Sequence, residues 1–372
     1  MQFSPKMLIF HDRAAKGLGF HSKPRVMHFD FEIRNFMAIR QAALEKRSNV
    51  VVLLGPNKTG KTQLLFLLYA LYWASWNIAG EANADKEAAF EQKLKSKLKG
   101  VFLVKNPREL ISWQEKQMRI EWGNKDDEEV LTVEATQDAF LFKGKPALAP
   151  AHSPTFIAPL IGEYYKGILA LQKVSPSWRL VSEAVSDFIN DLFLYADRQV
   201  SSPLLQHMEK WSGVNFFLQS NRIYARERGR QYKIERAASG LKSLASTYLA
   251  LRHGLINEAV FVDEPESGLH PSFAYQWAKW LSQLAAAKPD TTFYLATHSE
   301  YVLEGINVAL KEGLLPQADL WFVSNFREIE HGDAEGALWK STVATAENPL
   351  DSSLLSRVYS DLLRHLYGVK SA

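Results

Sequence analysis

The chain has 372 residues, 47% of them hydrophobic, which is enough for one large globular domain or two smaller ones. Forty-four Lys and Arg against 41 Asp and Glu leave +3, too slight an excess to argue for nucleic acid by itself. No cysteine is present, which excludes disulfides, thiolate metal sites and cysteine nucleophiles and fits an intracellular, cytoplasmic protein; Met1 to Lys16 has scattered charges and no apolar core of signal-peptide length.

In chain order, Phe29, Phe31 and Ile33 alternate with Asp30, Glu32 and Arg34, which predicts a half-buried strand. Asn35-Phe36 then leads into a second strand-like piece, Met37 to Leu44, so that an antiparallel sheet is expected beside the segment that follows. Val50 to Leu54 is an apolar, β-branched run that predicts a buried strand, and Gln63 to Trp73 predicts a helix. Between them Gly55-Pro56-Asn57-Lys58-Thr59-Gly60-Lys61-Thr62 fills every fixed position of the phosphate-loop pattern G-x-x-x-x-G-K-[ST]. Gly55 and Gly60 let the backbone curl with its N–H groups inward, and the helix start at Gln63 adds unpaired N–H groups and a positive dipole end. Lys61 would reach the β- and γ-phosphates of ATP, and the Thr62 hydroxyl would ligate Mg²⁺.

Gln63 to Gly80 carries no formal charge and approaches the length of a membrane span. It begins inside a loop that must meet nucleotide in water, so a buried core helix is expected and no membrane partner.

A polar break from Gly80 precedes a charged helix, Glu87 to Lys97, with Phe90, Leu94 and Leu98 on one stripe; it reads as a surface arm or insertion over about 80–100. Gly100 to Lys105, Gln117 to Trp122 and Val130 to Ala135 read as strands, the last two joined by the turn Gly123 to Glu129. The cluster Asp126-Asp127-Glu128-Glu129 is the tip of that hairpin rather than a metal site. After the proline-spaced loop Pro146 to Pro159, Ser182 to Phe193 places Val185, Ile189 and Leu192 on one helical face, and 150–215 is expected as an inserted helical subdomain. Residues 221–236 hold the densest basic stretch and read as a hairpin around Arg228-Gly229-Arg230. Its Arg222, Arg226, Arg228 and Arg230 make either a solvated edge that resists strand pairing or a surface for DNA.

Ser239-Gly240, ahead of the helical pattern Leu241 to His253, offers hydroxyl and N–H donors at a helix start, a second anion site. Glu258 to Val262 is a short apolar strand that ends in Asp263-Glu264-Pro265-Glu266. A carboxylate at a strand tip can hold Mg²⁺ and the next can polarise an attacking water, the two tasks of phosphoanhydride hydrolysis. The buried strand Thr292 to Ala296 leads to His298, placed to sense a γ-phosphate.

The order of these pieces resembles the ABC-class ATPases of the SMC, RecF and OLD (overcoming lysogenization defect) kind. By that resemblance Gly55 to Thr62 is Walker A, Ser239-Gly240 lies in the signature motif, and Val260-Phe261-Val262-Asp263-Glu264 is Walker B with Glu264 as catalytic base. Ser267-Gly268-Leu269-His270-Pro271 is similar to the D-loop of the soluble branches, His298 falls in the switch position, and Phe31 to Ile39 resembles the first strands of the OLD and RecF branch. The resemblance implies an α/β P-loop NTPase fold of ABC-ATPase type: a mixed sheet, an antiparallel β subdomain and an inserted helical subdomain. It implies Mg²⁺-dependent ATP hydrolysis with Lys61, Glu264 and His298 catalytic and Thr62 and Asp263 on the metal. It further implies a head-to-tail homodimer, in which Ser239 and Gly240 of one copy complete the site on Lys61 of the other. The expected output is DNA-linked defence or repair with a separate effector; a RecF-like DNA-binding repair ATPase, a transporter's nucleotide-binding subunit and a non-hydrolysing nucleotide sensor, the last weakened by the intact Glu264, are the alternatives. The signature departs from the fuller transporter form in reading Ala238-Ser239-Gly240-Leu241-Lys242, Gln114 and Gln117 are the candidates for the Q-loop, and no long heptad run provides coiled-coil arms.

Residues 1–310 are thus expected to form the ATPase domain and 311–372 an extension packed on it, with a strand at Asp319 to Phe326, a hairpin or loop from Phe326 to Ala344 and a closing helix from Ser352 to Tyr367. No Asp-x-Asp pair occurs there, and the stretch is too short for a Toprim nuclease domain.

Overall fold

The computed structural model describes residues 28–79, 86–124, 129–136, 139–144, 150–159, 181–220, 222–323, 336–351 and 355. The N-terminal segment, Asp126 to Glu128 of the acidic hairpin tip, 160–180 of the expected helical subdomain, Asn221, 324–335 of the expected hairpin or loop and, apart from Leu355, the closing helix lie outside them.

Among the described residues an 11-stranded mixed sheet organises the fold. Its first half is antiparallel. β1 (Phe29–Phe36) and β2 (Ile39–Lys46) turn through Asn35 and Met37, both at positive φ, and β4 (Gln117–Asn124), β5 (Glu129–Thr136) and β6 (Phe140–Lys143) extend the sheet beyond β1. β1 and β2 bury alternate residues, as a sheet covered on one face should.

The second half is parallel and buried throughout. β3 (Val50–Leu54) lies against β12 (Thr292–Thr297), β12 against β11 (Ala259–Asp263), and β11 against the short β7 (Thr155–Ile157). Each of these strands is a nearly unbroken apolar run, which is the pattern that a sheet covered on both faces demands. Their C-terminal ends share one edge, where an α/β sheet places its ligand.

Helix α1 (Lys61–Ala79) follows the phosphate loop and is apolar all round, with Tyr69 and Tyr72 edge-on to Phe261 and the Tyr72 hydroxyl 2.9 Å from that of Tyr294. It is a core helix, and among the described residues no helix is long and apolar enough to cross a membrane. Helix α2 (Lys86–Phe102) differs from expectation twice. It packs along α1 rather than standing out as an arm, and it continues through Gly100, where a strand was expected. The reason is its stripe: Phe90, Leu94, Leu98 and Val101 recur at helical spacing and all are buried, and Phe102 meets Phe36 and Phe66 edge-on. Lys97, also buried, lies over the Trp73 indole at 4.1 Å and pairs with Asp187 and Glu183 of α3 (Glu183–Leu194).

Helix α4 (Pro203–Ser212) leads to a separate three-stranded sheet, β8 (Val214–Gln219), β9 (Arg222–Glu227) and β10 (Arg230–Lys233). The β9–β10 turn is Arg228-Gly229, both at positive φ, a two-residue hairpin loop. Helix α5 (Ser239–Arg252) follows, then α6 (Pro271–Ala287) and α7 (Glu300–Lys311), which approach so closely that a Cβ on Gly305 would lie 2.6 Å from that of Ala278.

Of the residues expected to form an extension packed on the ATPase domain, the described strands lie within the sheet itself. β13 (Ala318–Val323) inserts between β3 and β14 (Ala337–Ala344), and β14 in turn pairs with β2. These two strands join the parallel and antiparallel halves into one sheet, which is why Leu320, Trp321 and Val323 are buried.

Candidate active site

The loop from Gly55 to Gly60 leaves β3 at the shared edge. Lys58 and Gly60 have φ of 69 and 94, and a Cβ on Gly55 would lie 2.9 Å from both Thr59 Oγ1 and Val323 Cγ2. Only glycine fits at Gly55 between the loop and β13. Three bonds brace the curl. Thr59 Oγ1 donates to the Pro56 carbonyl at 2.9 Å, Trp339 Nε1 of β14 donates to the Thr59 carbonyl at 3.2 Å, and Gln63 Oε1 accepts from the Ala38 N–H of the β1–β2 turn at 3.1 Å.

Lys61 is buried and spans the loop, its Nζ donating to the carbonyls of Gly55 and Pro56 at 2.8 Å each. Burial pulls its pKa down, and the carboxylates of Glu264, Asp263 and Glu266 oppose that fall. Thr62 Oγ1 lies 2.9 Å from Oδ1 and 3.1 Å from Oδ2 of Asp263 at the tip of β11 and donates to that carboxylate. Burial pushes the Asp263 carboxyl up to about 7, against the Thr62 hydrogen bond and the Lys61 charge. A hydroxyl and a carboxylate side by side, an ammonium next to them and a loop too tight for a Cβ fit a nucleoside triphosphate with Mg²⁺.

β12 lies between β3 and β11, so its end delivers His298 beside both loops. His298 Nδ1 is 3.7 Å from Glu264 Oε1 and 3.4 Å from Glu266 Oε1. Glu264 sits at φ 42, a left-handed conformation unusual for a non-glycine residue, and its N–H donates to the Ala296 carbonyl at 2.9 Å. Glu266 is more tightly held than Glu264: its Oε1 accepts from Thr297 Oγ1 at 2.8 Å and from the His298 N–H at 3.0 Å.

Lys61, Thr62, Asp263, Glu264 and His298 are therefore brought together. Ser239 and Gly240 are placed elsewhere, at the start of α5 against the loop after β11. A Cβ on Gly268, at φ 72, would lie 2.6 Å from Ser239 Oγ, one on Gly240 would lie 2.7 Å from the Gly268 carbonyl, and Ser243 Oγ donates to the Ser267 carbonyl at 2.6 Å. Among the described residues no side chain caps this helix start, and Ser239 is exposed. His270 caps α6, its Nδ1 accepting from the Ser272 N–H at 3.3 Å.

Gln114 and Gln117 are exposed, and Gln117 offers its main-chain carbonyl to Asn35 Nδ2 at 3.3 Å. β7, not a strand at 100–105, is the element whose C-terminal end emerges beside Walker B, at Ile157-Ala158-Pro159. Arg222, Arg226, Arg228 and Arg230 are all exposed on the small sheet, with the Arg226 guanidinium 5.0 Å from the Phe217 ring, which stacks on Tyr224. Sequence reasoning missed Glu266 and Trp339. The second glutamate of Asp-Glu-Pro-Glu was a signal for Glu266; Trp339 gave none, because nothing local says that its strand enters the sheet next to β2.

The mixed sheet, the tight loop from Gly55 to Thr62 and the Thr62–Asp263 pair together have the form of a phosphate-loop α/β fold. Residues 157–304, the stretch from the end of β7 through Ser239, Walker B and His298, match a family model described as "AAA domain, putative AbiEii toxin, Type IV TA system". No curated protein matches the sequence. Among solved structures the chain is similar to the SMC head domain from Thermotoga maritima, at 15% identity over 87% of this chain and 98% of that one, with a TM-score of 0.41. It is also similar to the Smc head of Pyrococcus furiosus bound to the C-terminal domain of ScpA (13% identity, 91% and 100% covered, TM-score 0.45) and to the recombination mediator RecF (11%, 84% and 97%, 0.41). These likenesses are loose, each with a TM-score below 0.5.

Proposed function

We propose that the chain binds ATP with Mg²⁺, hydrolyses it, and works as a nucleotide-driven switch that closes head to tail with a second copy of itself. The observation that carries this is the Thr62–Asp263 hydrogen bond, which brings Walker A and Walker B together with Lys61, Glu264 and His298 at one sheet edge. Lys61 and the loop amides hold the phosphates, Glu264 takes the proton of the attacking water, and His298 faces the γ-phosphate. Thr62 and Asp263 would hold Mg²⁺, which neutralises charge building on the phosphate oxygens. The start of α5, with Ser239 exposed and no side-chain cap among the described residues, supports the homodimer: its N–H groups suit a phosphate.

ATP turnover and sedimentation of variants test this reading. Lys61→Ala should abolish ATP binding, and Glu264→Gln should bind ATP, lose turnover and accumulate as a dimer. Wild-type turnover in Glu264→Gln would remove Glu264 as base, and unchanged turnover and dimerisation in Ser239→Arg would remove the shared site. The output we favour is DNA-linked defence or repair exercised through a separate effector chain, which co-purification would identify. Direct DNA contact is a second reading, favoured by the four exposed arginines around Phe217 and Tyr224. A gel shift with and without ATP, repeated after Arg222→Glu and Arg226→Glu, separates the two.

A further inference from the structure

Glu266 has no role in the scheme above, yet its carboxylate is committed. The side chain is 9% exposed, Oε1 accepts from Thr297 Oγ1 at 2.8 Å and from the His298 N–H at 3.0 Å, and the same oxygen is 3.4 Å from His298 Nδ1. Oε2 is buried with no hydrogen-bond partner among the described residues. Removing a carboxylate from water and leaving one oxygen unpaired is costly, and a neutral amide would tie the two loops together at less cost. A latch for the loops alone therefore does not account for an acid here.

What an acid adds is a strong acceptor for an imidazole N–H. The proton position on a histidine ring is set by the bond that the other nitrogen makes, and without such a bond the ring can turn about χ2 and exchange its two nitrogens. At 3.4 Å the ring needs a shift of a few tenths of an ångström to complete the bond, and catalytic hydrogen bonds are commonly this loose before substrate arrives. Glu264 Oε1, at 3.7 Å, is the more distant acceptor and has no comparable anchor. We propose that Glu266 is a positioning residue that fixes His298 with a proton on Nδ1, leaving Nε2 as the ring atom that meets the substrate. Through the main-chain bond at His298 and the Thr297 hydroxyl, the same carboxylate keeps the end of β12 in register with Walker B.

This role rests on the ATPase reading, and the test has one arm that does not. In the full chain labelled with ¹⁵N-histidine, long-range ¹H–¹⁵N spectra at pH 8.5, assigned with His298→Asn, should show His298 as the Nδ1–H tautomer and the Glu266→Ala variant should lose it. An Nε2–H tautomer in the wild type overturns the proposal. In turnover assays Glu266→Ala should lower kcat by about 10–100-fold, the usual loss when the partner orienting a functional histidine is removed, with little change in KM. Glu266→Gln, which keeps an acceptor oxygen but a weaker one, should recover part of that loss. Glu266→Ala/His298→Ala should be no slower than His298→Ala; losses that multiply, or a Glu266→Gln variant as inactive as Glu264→Gln, overturn it. A wild-type protein without turnover would sink the ATPase reading while the spectra still decided the tautomer.

Discussion

Gly268 is where the start of α5 meets the loop after β11, and replacing it with alanine tests that contact quantitatively. The residue has φ 72, a conformation that costs an L-residue with a Cβ about 1–2 kcal/mol. The new Cβ would stand 2.6 Å from Ser239 Oγ, 2.7 Å from Ser239 Cβ and 3.1 Å from the Gly240 nitrogen. Two of these atoms belong to a short side chain near the backbone and the third is backbone, so little can swing away, and overpacking of this kind costs about 1–3 kcal/mol. Gly268→Ala should therefore lose about 2–5 kcal/mol in urea unfolding with an unchanged m-value. Adding Ser239→Gly removes the two closest contacts and should recover about 1–2 kcal/mol, leaving the conformational part and the Gly240 contact. A Gly268→Ala variant within about 0.5 kcal/mol of wild type would refute the packing, and loss without any recovery would assign the whole effect to φ.

Asp191 carries a pH signature. Burial first, and the Asp187 charge second, raise its carboxyl from 3.8 to about 6, with Lys97 opposing. Folding then takes up a proton between about pH 4 and 6, and the stability that the protonated group contributes is lost as pH rises through that window. Asp191→Asn should match wild type near pH 4 and exceed it above pH 6 in urea midpoint; a difference that does not grow with pH counts against the assignment. Gly305→Ala gains helix propensity, yet its Cβ would meet the Ala278 Cβ at 2.6 Å and the Tyr275 carbonyl at 2.8 Å. A net loss of about 1–3 kcal/mol is expected, and a net gain would show that α6 and α7 can move apart. Trp339→Phe removes the donor to the Thr59 carbonyl. A bond of that kind is worth about 1 kcal/mol, so ATP affinity by titration calorimetry should fall about fivefold, and unchanged affinity would mean that the loop holds its curl without β14.

The parts that the sequence made legible are those whose signal is local. Val50 to Thr62 could be read whole because an apolar strand, a glycine turn and a helix start are contiguous, and the tips at Asp263 and His298 because each ends a buried run. Gly100 to Lys105 went wrong because Val101, Phe102 and Val104 look like a strand by composition, while the helical stripe that claims Val101 begins at Phe90. β7 was hidden in a proline-spaced loop, three residues being too few to show a period. The place of β13 and β14 in the sheet was not readable at all, because strand neighbours far apart in sequence are chosen by tertiary packing. Glu266 stood in plain view beside Glu264; its role depends on Thr297 and His298, which only the fold brings to it.

That β3 is flanked by β12 and β13 has a consequence for how the protein is made. Both neighbours are translated well over two hundred residues after β3, so the strand that ends in the phosphate loop leaves the ribosome with neither hydrogen-bonding edge filled. β1 with β2 and β4 with β5 can close locally as they emerge, whereas β3 must wait for nearly the whole described chain. Nucleotide competence should thus be among the last properties acquired, and until then Val50 to Leu54 is an exposed apolar strand of the kind that chaperones shield. A truncation ending between β11 and β12 would keep every Walker residue and still have no partner for the strand that carries the first of them.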